Sequence, residues 1–444
     1  MSKEQVKVNC IGMDEEGSGI IKIRGQEVHV PNLLTGEVAI VEVIQKRNYM
    51  DAKIIRIAEK SKGRVTPTCT HSNQCGGCQL QHISYEQQSE FKQNTVEKLM
   101  NSYNKVNKIL TMKEPYFYRN KVHSTAALDA KGKIITGMYE KNTHNVIPIE
   151  KCIIQDSRAD DITASIRQIM NTYKVRPFNE DTGEGFLRHI LVKTGFVSNQ
   201  IMVVLVVASQ VFVGKKNFVS LLLKKHPDIT TIVMNVNNRK TSVVLGDNEK
   251  VLFGKGYIED TLCGCVFQIS PKSFYQINPI QTEVLYNKAI EMAKLKGTEE
   301  VIDAYCGIGT IALIVSSKVK NVIGVELNKD AVKDATNNAK INKISNVHFY
   351  NDDAGNFMDD LASEKQSIDT VFMDPPRSGS DEKFLSSMIN LKPRQIIYIS
   401  CNPTTQERDL RYLTGHDYLV SEIQPVDMFP QTAHVECIVK LEKK

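Results

Sequence analysis

Short runs in which apolar and polar residues alternate fill the start of the chain: VKVNCI, GIIKI, EVHVP, EVAIVEVI and DAKIIRI, with Gly17, Gly19, Gly25 and Gly36 among the turns. A period of two marks half-buried strands. Five of them predict a small closed or nearly closed β-barrel over residues 1–62, a shape that often grips oligonucleotides. A loop rich in Cys, Gly and Gln follows, and then a helix near 84–110 that is free to pack on the C-terminal part. The strands KVHSTAAL, RHILVKTG, QIMVVLVVA and ITTIVMNV, separated by hairpin-sized gaps and a helix at 213–225, predict an antiparallel α+β unit over 63–262. After about 263 the pattern changes. Apolar strands EVIDAYC, NVIGVEL, TVFMDPP and QIIYISC alternate with helical stretches, which predicts a doubly wound, Rossmann-like parallel sheet over 263–444. The chain is thus read as a multidomain α/β protein.

Composition narrows this picture. No apolar stretch of the 444 residues approaches the roughly 20 needed to span a bilayer, and the opening MSKEQVKVNC lacks the apolar core of a secretory signal. A cytoplasmic protein is expected, and with it ten cysteines that point to metal binding or catalysis more than to disulfides. The net charge of +5 is modest, but Lys46, Arg47, Lys53, Arg56, Lys60, Lys62 and Arg64 stand against only Asp51 and Glu59. Such a run is either a solvated face or a grip for an anionic polymer.

In ligand-binding sheets of the doubly wound kind, chemistry gathers at the carboxyl ends of the strands. Here Gly307 and Gly309 follow the first strand, Glu326 ends the second, Asp352 and Asp353 end the third, and Asp374 opens a stiff Asp-Pro-Pro turn after the fourth. Glycines let a ligand approach the backbone, a carboxylate after the second strand can accept both ribose hydroxyls, and Asp353 can meet an adenine amine. The series suits S-adenosylmethionine, with a nicotinamide cofactor as the alternative. Neither a third glycine nor a Lys-Ser/Thr follows the first pair, so dinucleotide and phosphate-loop fingerprints are incomplete.

The fifth strand ends in Cys401, and Asn402-Pro403 then stops it. A lone cysteine is more often a small buried hydrophobe. Beside a methyl donor it suggests one difficult reaction, because carbon 5 of a pyrimidine becomes nucleophilic once a thiolate has added to carbon 6. A base must later remove the carbon-5 proton, and Glu436, just ahead of the final strand, is the candidate, with His434 structural or base-contacting. Separately, Cys69, Cys75 and Cys78 stand at C-x5-C-x2-C, and Cys152 can complete four thiolates for zinc or an iron–sulfur cluster; spacing alone leans to zinc. Cys10, Cys263, Cys265, Cys306 and Cys437 are read as packing residues.

The segments FQISPKSFYQINPIQTEVLY (267–286), DAYCGIGT, GVELNKDAV, MDPPRSG, SCNPTTQERDL and PVDMFPQTAHVE, in that order, resemble the RNA uracil-5-methyltransferase family across essentially the whole chain. The resemblance implies that Gln276, Tyr305, Glu326 and Asp374 hold the cofactor, that Cys401 is the nucleophile and that Glu436 is the base. It also implies a TRAM-like N-terminal barrel and, as in the family's ribosomal-RNA members, a [4Fe–4S] cluster on the four cysteines. Enzymes of the family that act on tRNA generally lack both features, so 23S ribosomal RNA is the expected partner, bound by a monomer. The basic edge together with Arg119, Lys121 and Arg188 would grip phosphates. The rival readings are a tRNA uridine-5-methyltransferase and a non-catalytic RNA-binding or chaperone protein. Cysteine methyltransferases acting on cytosine carry a different pair of cysteine motifs that is not found here.

Overall fold

The N-terminal alternation folds into two three-stranded antiparallel sheets. One holds Lys3–Asn9, Val38–Gln45 and Met50–Glu59; the other holds Gly12–Met13, Gly19–Ile23 and Gln26–Val30. Their inward residues, among them Val8, Ile21, Val30, Val41 and Ala52, form one core. The computed structural model describes residues 3–46, 49–141, 143–239 and 243–444. Arg47, one of the expected phosphate contacts, lies outside the described residues. Of the other basic residues, Lys53, Arg56, Lys60 and Lys62 are exposed. Arg64 is not free. Its guanidinium is clamped on the fully buried Glu37, with Nε 2.5 Å from Oε1 and Nη2 2.7 Å from Oε2, so it closes the fold instead of facing solvent.

The middle sheet has seven strands, ordered Asn248–Phe253, Ile229–Val236, Ile201–Val207, Leu187–Thr194, Lys121–Leu128, Ile134–Tyr139 and Val146–Pro148. It is mixed, not wholly antiparallel. Ile229–Val236 runs parallel to Ile201–Val207 because the helix Lys215–Lys225 carries the chain back across the sheet. Leu187–Thr194 and Ile201–Val207 are buried at every position, since both faces are covered. On one face Val192, Val203 and Leu205 pack against Ile162 and Ile166 of the helix Ser157–Tyr173, which the sequence reading did not foresee. On the other, Leu191, Met202, Val204 and Val206 share a core with Phe267, Tyr275 and Tyr286. The hairpin Ile258–Leu262/Cys265–Ile269 leads into that core, and the expected boundary at 262/263 falls within its turn.

The C-terminal sheet also has seven strands: Val347–Asn351, Asn321–Glu326, Glu300–Ala304, Thr370–Met373, Gln395–Ser400, Glu436–Lys443 and Tyr418–Val426. The first five are parallel and Glu436–Lys443 is antiparallel to both neighbours. The order reverses between Glu300–Ala304 and Thr370–Met373, which opens a ligand crevice at their carboxyl ends.

The helix expected near 84–110 spans only Tyr85–Met100. Asn101, Asn104 and Asn107 compete for backbone hydrogen bonds and stop it. The chain then runs extended beside Tyr418–Val426, where Val106 bridges Ile423 and Leu110 bridges Val426. Val96 and Met100 enter the core of the C-terminal sheet with Tyr398 and Cys437. Among the described residues no helix is long and apolar enough to cross a membrane.

Candidate active site

Strand register assembles the crevice. Ala304 pairs with Val325 on one side and Met373 on the other, so the next residues, Tyr305, Glu326 and Asp374, stand side by side at the strand ends. Tyr305 takes φ 65° and Gly307 φ 55°, which turns the chain sharply into the helix Thr310–Val315. A Cβ on Gly307 would meet nothing within 4 Å, so the backbone there borders open space. Gly309 differs, since its Cβ would lie 2.6 Å from the Phe349 ring. The first glycine serves the crevice and the second serves packing.

Glu326 accepts the Gly307 amide at 3.1 Å on Oε2 and the Asn328 amide at 2.7 Å on Oε1. Each oxygen keeps a further acceptor site, which fits a pair of ribose hydroxyls. Asp353 caps the helix Ala354–Ser363, accepting from the Asn356 amide at 3.0 Å through one oxygen. Gln276 is buried and hydrogen-bonded to the hydroxyl of Tyr286, which also meets Thr310. Asp303 was not anticipated. One of its oxygens accepts the Ala312 amide at 2.8 Å, the other has no partner, and burial pushes its carboxyl up to about 8. An open backbone turn, spare acceptors on Glu326 and an orphaned carboxylate oxygen fit an adenosyl cofactor with a positively charged sulfur.

Cys401 and Glu436 meet for a similar reason. Ser400 pairs with Cys437 in antiparallel register, so the residue after the one and the residue before the other face each other at the sheet's end. Asn402 then caps the helix Pro403–Thr414, its side chain accepting from the Thr404 amide at 3.2 Å. The Asn-Pro pair therefore turns strand into helix at Cys401 and leaves the thiol in the bend. Gln406 locks the arrangement by donating to the carbonyls of Tyr398 at 3.0 Å and Cys437 at 3.1 Å, one on each strand.

Burial, helped by Glu436 and Asp374, pushes the Cys401 thiol up to about 11, while the charge and hydrogen bond of Arg377 pull the other way. Glu436 is 3% exposed, and its Oε2 has no partner. Burial first, and then the charge of Asp374, raise its carboxyl well above the ordinary range, again against Arg377. Burial likewise lifts Asp374 to about 7. Arg377 is thus the cation that faces both reactive side chains. The only sequence signal for it was its place directly behind the rigid Asp-Pro-Pro.

The segment that leads to Glu436 is fastened from outside the sheet. Lys92 binds Asp427 and the Phe429 carbonyl, Gln88 exchanges hydrogen bonds with Gln431, and Tyr118 donates to the Pro430 carbonyl at 2.9 Å. His434 lies edge-on to Phe429 at 6.3 Å, and burial, with Arg377, Lys92 and Arg119, lowers it to about 4. It is neutral at physiological pH.

Cys69, Cys75, Cys78 and Cys152 line one cavity of about 40 Å³ together with His71 and Arg119. Among the described residues, however, no group of three or more His, Cys, Asp or Glu is arranged to hold a metal. Burial pushes Cys78 up to about 12 and Cys152 up to about 11, with the other cysteines adding to it. Four soft sulfur donors around one space are the donor set that a thiophilic metal centre would take. Arg188 is not available to phosphate. It is 2% exposed and donates to the carbonyls of Asn237 and Arg239 and to Glu180.

Comparison with known proteins agrees with this geometry. The family model described as tRNA (Uracil-5-)-methyltransferase matches residues 84–444. A protein of Listeria monocytogenes described as an uncharacterized RNA methyltransferase is 40% identical over 443 residues, covering 99% of this chain and 97% of its own. One of the same description from Oceanobacillus iheyensis is 42% identical over 439 residues, covering 97% and 95%. Among solved structures, the tRNA (uracil-54, C5)-methyltransferase of Pyrococcus abyssi, in complex with S-adenosyl-L-homocysteine, superposes with a TM-score of 0.78 at 26% identity. It covers 98% of this chain and 99% of its own, so the N-terminal sheets do not separate ribosomal-RNA from tRNA enzymes as the sequence reading expected.

Proposed function

The chain belongs to the RNA uracil-5-methyltransferase family, and from that premise we propose that it methylates carbon 5 of uridine in 23S ribosomal RNA through a covalent bond between Cys401 and carbon 6. The observation that carries the chemistry is the register that sets Cys401 opposite the buried, half-unpartnered Glu436.

S-adenosylmethionine, when bound, supplies an electrophilic methyl group on a sulfonium. Gln276, Tyr305, Gly307, Glu326, Asp353 and Asp374 would hold it, with Glu326 on the ribose and Asp353 on the adenine amine, while Gly309, first read as a cofactor residue, packs on Phe349. The Cys401 thiol loses its proton to solvent, favoured by Arg377, and its sulfur bonds to carbon 6 while the carbon 5–carbon 6 π pair moves to carbon 5 and the adjoining carbonyl. Carbon 5, made nucleophilic in this way, is the atom that would accept the methyl group, the pair of the broken carbon–sulfur bond staying on sulfur as a neutral thioether. Glu436 removes the remaining carbon-5 proton, the electron pair left behind rebuilds the double bond, and the Cys401 thiolate leaves. A carboxylate whose pKa is raised is the stronger base for that step.

The exposed Lys53, Arg56, Lys60 and Lys62 make the N-terminal sheets, read as a TRAM-like unit over 1–62, an RNA grip beside units at 63–262 and 263–444. The four cysteines are read as ligands of a [4Fe–4S] cluster with a structural role, and that arrangement favours the ribosomal substrate. A tRNA substrate is the second reading, favoured by the full-length match to the tRNA enzyme. Labelled methyl transfer to unmodified 23S RNA and to unmodified tRNA decides between them. Incorporation into 23S RNA alone supports the first, and incorporation into tRNA alone overturns it.

A further inference from the structure

The face of the middle sheet opposite its helices is covered only in part. Towards Ile134–Tyr139 it opens into a cavity of about 200 Å³, lined by Thr125, Tyr139, His144, Phe178, Arg188 and His189 among others. Drug-sized ligands take roughly 300–1,000 Å³, so this space suits a single planar ring system better than a whole nucleoside cofactor.

Its walls are unusual for a structural gap. Arg188 is 2% exposed, stacks 4.8 Å from the Phe178 ring centroid, and its Nε has no partner. His189, whose Nδ1 lies 3.4 Å from the Thr125 hydroxyl, is edge-on at 4.7 Å to His123, which sits behind the lining and not on it. Buried polar atoms are rarely left unpartnered unless something fills the site. Burial lowers His189 to about 3, so the ring that lines the cavity is neutral. Tyr139 and His144 meet edge to face at 5.8 Å, which adds an aromatic wall. Glu180 and Asp181 also line the cavity. Carboxylates repel phosphate but accept from base N–H groups, which points to a base and not to the backbone.

One strand links the cavity to the cofactor crevice: Thr125 lines the cavity, and Asn120, just ahead of the same strand, donates to the Gln276 carbonyl at 3.1 Å. Lys121, His123 and Thr125 share one face of their strand, a span of about 13 Å at ~3.3 Å per residue. The Lys121 ammonium sits 5.9 Å from the ring of Phe274, which is 61% exposed and two residues from Gln276. On the other flank, Cys75 bridges Glu140 and the Lys141 amide donates to the Gln74 carbonyl, so the cysteine loop braces the hairpin that carries Tyr139 and His144.

We propose that this cavity receives an unpaired base of the substrate RNA, a few nucleotides from the target uridine, stacked among Tyr139, His144 and Phe178 and read at its edge by His189 and Asp181, with the paired Arg188 and Glu180 as a fixed wall. The inference rests on the reading of the chain as an RNA uridine methyltransferase. The full-length protein is mixed with S-adenosylmethionine and 5-fluorouridine-substituted transcripts of 23S RNA and tRNA, irradiated, digested with nuclease and mapped by mass spectrometry. Fluorine cannot leave as a cation, so the complex stays joined at Cys401. The expected result is an adduct at Cys401 together with a photo-adduct on the peptides that carry Tyr139, His144, Phe178 or His189. On unsubstituted RNA, His144→Ala, an exposed position that leaves the fold intact, and His189→Ala each raise the RNA KM roughly tenfold while the cofactor KM holds. An adduct at Cys401 with no photo-adduct in the cavity, and RNA KM values within about twofold of wild type, overturns the cavity assignment and leaves the methyltransferase reading standing. No adduct at Cys401 overturns that reading, and this inference with it.

Discussion

The ammonium of Lys92 lies 2.5 Å from Asp427 Oδ1, and both side chains are wholly shielded from solvent. The helix Tyr85–Met100 thereby reaches across the sequence to the segment that carries His434 and Glu436. Removing one partner of a buried pair strands the other charge, so Lys92→Met should cost about 3–5 kcal/mol, whereas replacing both partners with apolar residues is often neutral. Thermal unfolding should therefore show a large loss for Lys92→Met and recovery of most of it in Lys92→Met/Asp427→Leu. The double variant should still turn over slowly, because the Glu436 segment has lost its anchor. A Lys92→Met protein as stable and as active as wild type would show that the pair does not hold the segment.

The order of bond changes separates the two reactive residues. Cys401→Ala should lose turnover by a factor on the order of 10³ or more while cofactor affinity survives, since the thiol acts on the base and not on the donor. Glu436→Gln should add to the base and pass the methyl group but stall before elimination, leaving protein and RNA joined. A denaturing gel reads this as a retarded RNA band that carries labelled methyl. Normal release of methylated RNA by Glu436→Gln means that another group takes the proton.

Much of the crevice was legible because short, near-continuous apolar runs between helical stretches fix where parallel strands end, and Glu326, Asp374 and Cys401 are the residues at those ends. The same logic found Glu436 ahead of the last strand. What the chain did not reveal depends on contacts between distant residues. Lys92 and Asp427, or Gln88 and Gln431, are unremarkable polar residues until the helix Tyr85–Met100 docks. Arg64 and Arg188 read as free cations and proved to be engaged in local pairings, Arg188 fully buried and Arg64 clamped on the buried Glu37. The parallel pairing of Ile201–Val207 with Ile229–Val236 was missed because the crossover helix was seen but its direction was not. Breadth of architecture misled once more: the N-terminal sheets appeared to mark a ribosomal enzyme, yet a tRNA enzyme aligns over nearly all of this chain.

The charges around Cys401 make a further expectation. Burial and two carboxylates raise the thiol to about 11, so less of it is thiolate at neutral pH than for a free cysteine, and the fraction rises with pH towards that value. Alkylation of the Cys401 peptide, followed by mass spectrometry, should be slow at pH 7 and accelerate above pH ~9. Arg377→Ala removes the opposing charge and should move the profile to still higher pH. S-adenosylmethionine carries a positive charge that S-adenosylhomocysteine lacks, and Asp374 is among the residues that would hold it, so Cys401 should react faster with the first bound than with the second. Identical profiles for wild type and Arg377→Ala would remove Arg377 from the site.

The last expectation concerns the four cysteines. The thiols of Cys75, Cys78 and Cys152 are raised by burial first and then by neighbouring cysteines, an arrangement that is unfavourable as bare thiolates and becomes favourable around a cation. The loop from Cys69 to Cys78 holds no helix or strand of its own, and it meets the middle sheet through the bridge of Cys75 to Glu140. A centre tied also to Cys152 would fix that loop against the sheet. Protein purified without oxygen should hold iron and sulfide and show the broad visible absorbance of a cluster. Cys75→Ser should lose the colour, lower the unfolding temperature and weaken RNA binding. Cofactor affinity should be largely spared, because Glu326 and Asp374 stand on the C-terminal sheet, away from the loop. Zinc without iron would refute the cluster and keep the four-thiolate site. Loss of cofactor affinity as large as the loss of RNA affinity would show that the loop supports the crevice itself.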